Sequence, residues 1–230
     1  GTELSADAVL IATGVSYRLL NVEGIERYIG AGVYYGAGTS EARFVQGEDV
    51  YIVGGANSAG QAAVFFSRYA RSVTMLVRGP SLSSSMSRYL VDEIEAIPAI
   101  CVRPNTEVVA VRGGVGLEAI TIADSSTGAR ETLATRALCV FIGATPHTEW
   151  LEGLLERDRF GHLLTGPDLS VDGRRPIAWK LDRDPYLLES SVPGVFVAGD
   201  VRARSIKRVA SAAGEGAMSV QFIHQYRGQG

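Results

Sequence analysis

Four short stretches of this 230-residue chain carry residue types whose spacing could hold nucleotides. The first is "VGGANSAG", where Gly54, Gly55, Ala56, Asn57, Ser58 and Ala59 align with the pattern G-x-G-x-x-[GA]. A dinucleotide turn uses its glycines for a tight bend, for backbone approach to a pyrophosphate and for close packing of the following helix. Ala56 stands where the middle glycine is usual, adding one methyl group on the phosphate side. The helix start behind the turn still offers free N–H groups and a favourable dipole to an anion, with Asn57 or Ser58 available as a cap. The second stretch is "MLVRGPS", about 20 residues on, where an NAD site would place an acid against the ribose and an NADP site an arginine against the 2′-phosphate. Arg78 occupies it, with no carboxylate nearby, so the pattern favours NADPH.

The third stretch, "GVFVAGDV", ends a buried strand at Gly199-Asp200, where a carboxylate can accept hydrogen bonds from ribityl or ribose hydroxyls. The fourth, "SIKRVASAAGEGAM", opens a small-residue helix with Lys207, Arg208 and Val209 at its start. The helix dipole and the two cations would favour the negative charge of a reduced flavin. Thr13 and Gly14, which end the apolar run "ADAVLIATG", complete the candidate cofactor-binding residues.

These motifs need elements to position them. "VYIVGG", "NSAGQAAVFFSRYA" and "SVTMLVR" read as strand, helix and strand, a βαβ unit whose helix turns Ala59, Ala62, Ala63, Phe66 and Tyr69 inward. "SSMSRYLVDEIEAI" is an amphipathic helix stopped by Pro98. From Ala99 to Ala144 short alternating runs separated by "RGGVG" and "SSTG" signal hairpins. Thr148–Asp158 reads as helix, Asp172–Pro185 as loop, and the residues after Ser205 as a long helix.

Composition bounds the function. Lysine and arginine total 22 against 25 acidic residues, a net charge of −3 with no basic stripe, which argues against a nucleic-acid partner. The longest aliphatic runs are too short to span a bilayer. "GTELSAD" lacks the features of a signal peptide. Two cysteines make no disulfide framework, so the expected setting is cytoplasmic. No cluster of metal ligands stands out. Cys101 and Cys139 lie in strand-like apolar runs and are expected as small buried hydrophobes. His147, His162 and His224 receive no role.

Taken together, "ADAVLIATG", "VYIVGGANSAGQAA", "FIGATP", "GVFVAGDV" and "KRVASAAGEGAM", in this order, resemble the low-molecular-weight thioredoxin reductases, which are pyridine-nucleotide disulfide oxidoreductases. The resemblance implies an α/β, Rossmann-like three-layer FAD/NAD(P)-binding fold, with a complete NADPH domain inserted into a partial FAD domain. Residues 1–20 and 143–230 would belong to the FAD domain and residues 21–142 to the NADPH domain. The FAD domain's own opening glycine motif is expected to precede Gly1, making the chain a C-terminal portion of a longer flavoprotein. A homodimer is implied as well.

In that family a Cys-x-x-Cys dithiol follows a Gly-Val-x-Tyr-like stretch ahead of the NADPH glycines. "GVYYGAGTSEA" places Gly36 and Thr39 at the two positions, and neither can carry electrons. The expected function is thioredoxin-reductase-like hydride transfer from NADPH to FAD. Its acceptor, a small redox protein or small molecule, is reached without an intrinsic dithiol. The alternatives are a ferredoxin- or quinone-type NADPH reductase and a non-catalytic nucleotide-binding regulatory module.

Overall fold

The computed structural model describes residues 2–36, 39–170, 175 and 179–228, with the side chains of residues 39–41 left out. Among these the strands are β1 (Val9–Ile11), β2 (Val15–Tyr17), β3 (Val33–Tyr34), β4 (Asp49–Val53), β5 (Ser72–Leu76), β6 (Ile100–Arg103), β7 (Thr106–Gly113), β8 (Leu117–Asp124), β9 (Arg130–Ala134), β10 (Ala137–Val140), β11 (Ala144–Pro146) and β12 (Val195–Val197). The helices are α1 (Thr39–Phe44), α2 (Asn57–Phe66), α3 (Arg88–Glu95) and α4 (Val209–Arg227). Contacts divide the chain into two units: Arg18–Gly143, and Gly1–Tyr17 together with Ala144–Gly230. The divisions expected at 20/21 and 142/143 compare with 17/18 and 143/144.

The unit formed by Arg18–Gly143 is built on a parallel sheet in the order β3-β10-β4-β5-β6. Strand alternation sends Val50 and Ile52 of β4, with Val73 and Met75 of β5, to the face covered by α2 and α3. Tyr51, Val53 and Leu76 go to the other face, under the antiparallel sheet β7-β8-β9. Both faces of the central strands are covered, which explains their nearly continuous apolar sequence. The small side chains of α2, Ala59, Ala62 and Ala63, are almost wholly buried and let its axis lie close to the sheet. Tyr69, expected on that inner face, falls beyond the end of α2 and is 41% exposed. α3 buries Leu90, Val91 and Ile94, the stripe its periodicity indicates.

The hairpin region is more divided than its alternating pattern suggests. β7, β8 and β9 are antiparallel as expected, but β6 and β10 join the parallel sheet. The run "RETLATRALCV" breaks at Thr135, whose hydroxyl donates to the Asp49 carbonyl at 2.9 Å and accepts the Ala137 N–H at 3.0 Å. That buried hydroxyl turns the chain from one sheet into the other.

In the second unit β1 pairs in parallel with β12 and β2 pairs antiparallel with β11. Thr148–Asp158 is not a helix. It forms a single 3₁₀ turn, Glu149–Leu151, and Gly153 at φ +75° ends the helical path two residues later. Within the loop expected at Asp172–Pro185, residues 172–174 and 176–178 lie outside the described residues. Its later part is anchored by Glu189, which is 0% exposed and accepts bonds from Arg183 Nη1 (2.6 Å), Arg183 Nη2 (3.0 Å), Tyr186 N–H (2.9 Å) and Gly194 N–H (3.0 Å). The Arg183 guanidinium lies 4.2 Å from the Tyr186 ring centre, so its charge is held by a carboxylate and a π face together. Among the described residues no helix is long and apolar enough to cross a membrane.

Candidate functional site

The glycine turn follows β4 directly. Gly54 has φ +141°, and a Cβ there would stand 2.5 Å from the Phe141 carbonyl oxygen. The position therefore admits only glycine, since both the conformation and the approach of β10's end exclude a side chain. Its N–H donates to the Leu76 carbonyl at 3.1 Å, joining the turn to the end of β5. At Gly55 a Cβ would meet Val77 Cγ1 at 2.9 Å. Ala59, the last motif position, is fully buried under the turn. Two of the three glycine duties, tight bend and close helix packing, are thus visible in the contacts.

Ala56 is the N-cap of α2 in extended conformation, and no side chain caps the helix. This corrects the expectation for Asn57 and Ser58. Asn57 lies inside the first turn, and its Oδ1 accepts from the Ser87 N–H at 2.8 Å and Ser87 Oγ at 3.2 Å. The uncapped start leaves the first N–H groups of α2 for an anion, an arrangement that fits a pyrophosphate. Arg78 lies two residues beyond β5, exposed, and among the described residues no carboxylate pairs with it. The residues in this unit that fit NADPH are the turn, the open helix start and this guanidinium.

In the other unit Gly199 has φ +80° and opens a 3₁₀ turn, Gly199–Val201, that carries Asp200. Sequence reasoning missed the residue that holds this turn. Glu215 of α4 is 9% exposed; its Oε2 accepts the Gly199 N–H at 2.7 Å and its Oε1 pairs with Arg202. The only signal was an acid within a small-residue helix, in "AAGEGA". α4 begins at Val209 with Arg208 as N-cap and no side-chain cap, so its first N–H groups follow Lys207 and Arg208 directly.

Several groups around Asp200 share one electrostatic neighbourhood. Burial and then the Lys207 charge push the His162 imidazole below its ordinary value, while Asp158 and Asp200 pull the other way. Burial and Asp200 raise the Tyr17 phenol above its ordinary value, against Arg208. Four buried polar atoms of this unit have no partner among the described residues: His162 Nε2, Thr165 Oγ1, Arg202 Nε and Ser205 Oγ. Orphaned buried polar atoms in this unit fit a polar ligand better than a closed protein interior.

Thr13 and Gly14 are drawn to His147, to which the sequence assigned nothing. Thr13 Oγ1 donates to the His147 carbonyl at 3.0 Å, the His147 ring contacts the Thr13 carbonyl through Nδ1 (3.0 Å) and Ser16 Oγ through Nε2 (2.8 Å), and His147 N–H donates to the Gly14 carbonyl at 3.1 Å. His147 thus fixes the turn between β1 and β2. His224 lies in the last turn of α4.

Gly36 follows β3 and Thr39 opens α1; residues 37 and 38 lie outside the described residues. The two cysteines do not replace a dithiol. Cys139 is fully buried in β10 on the helix-covered face. Cys101, expected to be buried, is exposed: β6 is the sheet's edge, and the alternation that turns Ile100 and Val102 toward the core turns Cys101 outward. Cys139 registers with Ile52, Ile52 with Met75 and Met75 with Val102, so three strand spacings, about 14 Å, separate the cysteines. A disulfide needs Cα atoms within about 7 Å.

The family model of pyridine nucleotide-disulphide oxidoreductases matches residues 1–216. The chain belongs to this family. The thioredoxin reductase of Treponema pallidum is 30% identical over 222 residues, covering 96% of this chain and 65% of that protein. An NADH dehydrogenase of Bacillus subtilis is 30% identical over 226 residues, covering 98% of this chain and 40% of that protein. The solved thioredoxin reductase of Streptococcus pyogenes shares the fold with a TM-score of 0.76 at 26% identity, over 97% of this chain and 66% of that one. The chain therefore spans less than two thirds of the length of its thioredoxin reductase relative. The Rossmann-like α/β fold and the family resemblance read from the motifs are both borne out.

Proposed function

We propose that this pyridine nucleotide-disulphide oxidoreductase passes hydride from NADPH to FAD and delivers the electrons to an acceptor without an intrinsic dithiol. The observation that carries the reading is Arg78, without a carboxylate partner among the described residues, beyond the Gly54 turn, together with Gly36 and Thr39 at the two dithiol positions. When bound, NADPH would supply the hydride and FAD would receive it. The chain's own residues bind and orient. The open start of α2 takes the pyrophosphate, Gly54 and Gly55 keep the turn tight, and Ala56 lines it. Arg78 takes the 2′-phosphate bidentately. Asp200 accepts from ribityl hydroxyls, in a turn held by Glu215. Lys207, Arg208 and the N–H groups from Val209 onward favour negative charge on the cofactor. Thr13 and Gly14 close the same site.

The FAD assignment covers residues 1–20 and 143–230, and the NADPH assignment residues 21–142. The acceptor is a small redox protein or a small molecule, and the protein works as a cytoplasmic homodimer. The names of its relatives, thioredoxin reductase and NADH dehydrogenase, support an acceptor that varies within the family. Replacement of the middle glycine by Ala56 and loss of both thiols favour a second reading, a regulatory module without turnover. Full-length protein purified without flavin would support that module; tight FAD retention with rapid reduction by NADPH would exclude it.

The acceptor is tested anaerobically on full-length, FAD-loaded protein reduced with NADPH. Return of the flavin absorbance on adding a ferredoxin or quinone, and not on adding oxidised thioredoxin, is the expected result. Rapid reoxidation by thioredoxin would mean that thiols are recruited from elsewhere.

Two substitutions probe the reading further. Arg78→Ala is expected to raise the Michaelis constant for NADPH at least tenfold more than that for NADH, on the order of one charge-assisted bidentate contact. Equal effects on both would refute a 2′-phosphate role. Restoring the dithiol with Gly36→Cys and Thr39→Cys is expected to create thioredoxin-linked disulfide reduction. A Cβ at Gly36 meets nothing within 4 Å, so that side chain has room, and the cysteine must adjust a backbone φ of +159° that L residues rarely adopt. A silent double variant, assayed by reduction of a chromogenic disulfide, would show that the surrounding surface has also diverged.

A further inference from the structure

The segment between β5 and α3, residues 77–87, is tied down on two sides. Toward β7, the Asn105 N–H donates to the Gly79 carbonyl and the Thr106 N–H to the Val77 carbonyl, each at 3.0 Å. Toward α2, Ser85 Oγ donates to the Gly55 carbonyl at 2.7 Å, and Ser87 donates to Asn57 Oδ1 through both N–H and Oγ. The segment is also ordered within itself: the N–H groups of Ser85 and Met86 donate to the Leu82 carbonyl, and Ser84 Oγ donates to the Ser81 carbonyl at 3.1 Å. Underneath, Met86 is buried against Gly60, where a Cβ would come within 2.8 Å of Met86 Cε. Serine loop and glycine turn are thus one interlocked piece.

Arg78 sits at the start of this segment, between the two carbonyls tied toward β7, exposed and without an ion-pair partner among the described residues. A guanidinium on a loose loop would have to be ordered when a phosphate binds, and that ordering subtracts from affinity. The bonds to Val77 and Gly79 order the near end of the loop beforehand, and those of Ser85 and Ser87 to Gly55 and Asn57 order its far end. They also join the element that would read the 2′-phosphate to the element that would hold the pyrophosphate.

We propose that Ser85, supported by Ser87 and Asn57, is a positioning residue that holds the Arg78 loop across the start of α2 and thereby sets the preference for a nucleotide bearing a 2′-phosphate. The inference rests on the NADPH reading of this unit. Ser85 acts through Arg78, so its loss removes the part of affinity that depends on the 2′-phosphate and spares the part due to adenosine and the 5′-phosphate.

The test measures dissociation constants of 2′,5′-ADP and of 5′-AMP calorimetrically, in the full-length protein. The variants are Ser85→Ala, Ser85→Thr, Arg78→Ala and the double Arg78→Ala/Ser85→Ala, each checked for an unchanged circular dichroism spectrum. Ser85→Ala is expected to weaken 2′,5′-ADP by about fivefold to tenfold, the worth of one hydrogen bond, while 5′-AMP changes by less than about twofold. Ser85→Thr, which keeps the hydroxyl, is expected to stay near the parent. The double variant is expected to be no weaker than Arg78→Ala alone, the signature of two residues acting as one. Equal weakening of both ligands, no weakening, or additive losses in the double variant would overturn the inference and leave the NADPH reading intact. If Arg78→Ala leaves the ratio of the two affinities unchanged, the NADPH reading fails and this inference falls with it.

Discussion

Gly54→Ala is expected to weaken NADPH binding at least tenfold and to destabilise the unit formed by Arg18–Gly143. The alanine methyl would stand 2.5 Å from a backbone oxygen, Phe141 O, and not from the end of a side chain that can swing away. Relief requires the ends of β4 and β10 to separate, although Phe141 N–H bonds the Val53 carbonyl at 2.8 Å and Gly54 N–H bonds the Leu76 carbonyl at 3.1 Å. The φ of +141° adds strain for any residue with a Cβ, about 1–3 kcal/mol for such a conformation. Movement of the turn by a few tenths of an ångström displaces the first N–H groups of α2, which the proposed site aims at the pyrophosphate. Denaturant unfolding and a 2′,5′-ADP titration on the same variant check both parts. A stable variant with parental affinity would show that the turn has slack and that its geometry does not control binding.

Arg183→Met is expected to lower the stability of the other unit by about 3–5 kcal/mol, the usual result of leaving one member of a buried ion pair behind. Glu189 is wholly buried, and among the described residues Arg183 supplies two of its four hydrogen bonds and its counter-charge. The remaining N–H donors of Tyr186 and Gly194 cannot neutralise it. Methionine keeps much of the arginine's apolar contact with Tyr186, which isolates the lost charge from lost packing. Adding Glu189→Gln to Arg183→Met is expected to recover part of the loss, because the amide carries no charge and its oxygen still accepts from the backbone. Equilibrium unfolding of the parent, the two single variants and the double measures the coupling. A single variant within about 1 kcal/mol of the parent would show that Glu189 reaches water or another cation.

Much of the parallel sheet was legible because its strands are covered on both faces and punctuated by glycines. "VYIVGG" and "SVTMLV" could hardly be anything else once a small-residue helix separated them. The long helix at the C-terminal end and the amphipathic α3 were legible from periodicity alone. The failures share a cause. β6 and β10 were read with the hairpins because alternation is local, whereas the choice of sheet depends on which partner lies alongside. Cys101 was misplaced for a related reason: an apolar neighbourhood in sequence does not say that the strand is an edge. Thr148–Asp158 has helical composition, but Gly153 and the pairing of Arg157 with Leu163 divert it.

By itself the sequence determined the family, the glycine turn, the arginine in place of an acid and the absence of thiols at Gly36 and Thr39. These depend on residue identity and spacing along one strand–turn–helix. Tertiary structure decided what holds those pieces in place: Glu215 behind Gly199, His147 behind Thr13, Ser85 behind Gly55 and Glu189 beneath Arg183. Each is a polar side chain reaching a backbone group or a charge brought near only by folding, over separations from 6 to 134 residues. Periodicity carries no information about such partners, because one well-placed hydrogen-bonding group is enough and its position follows from the packing of elements that sequence alone leaves unassembled.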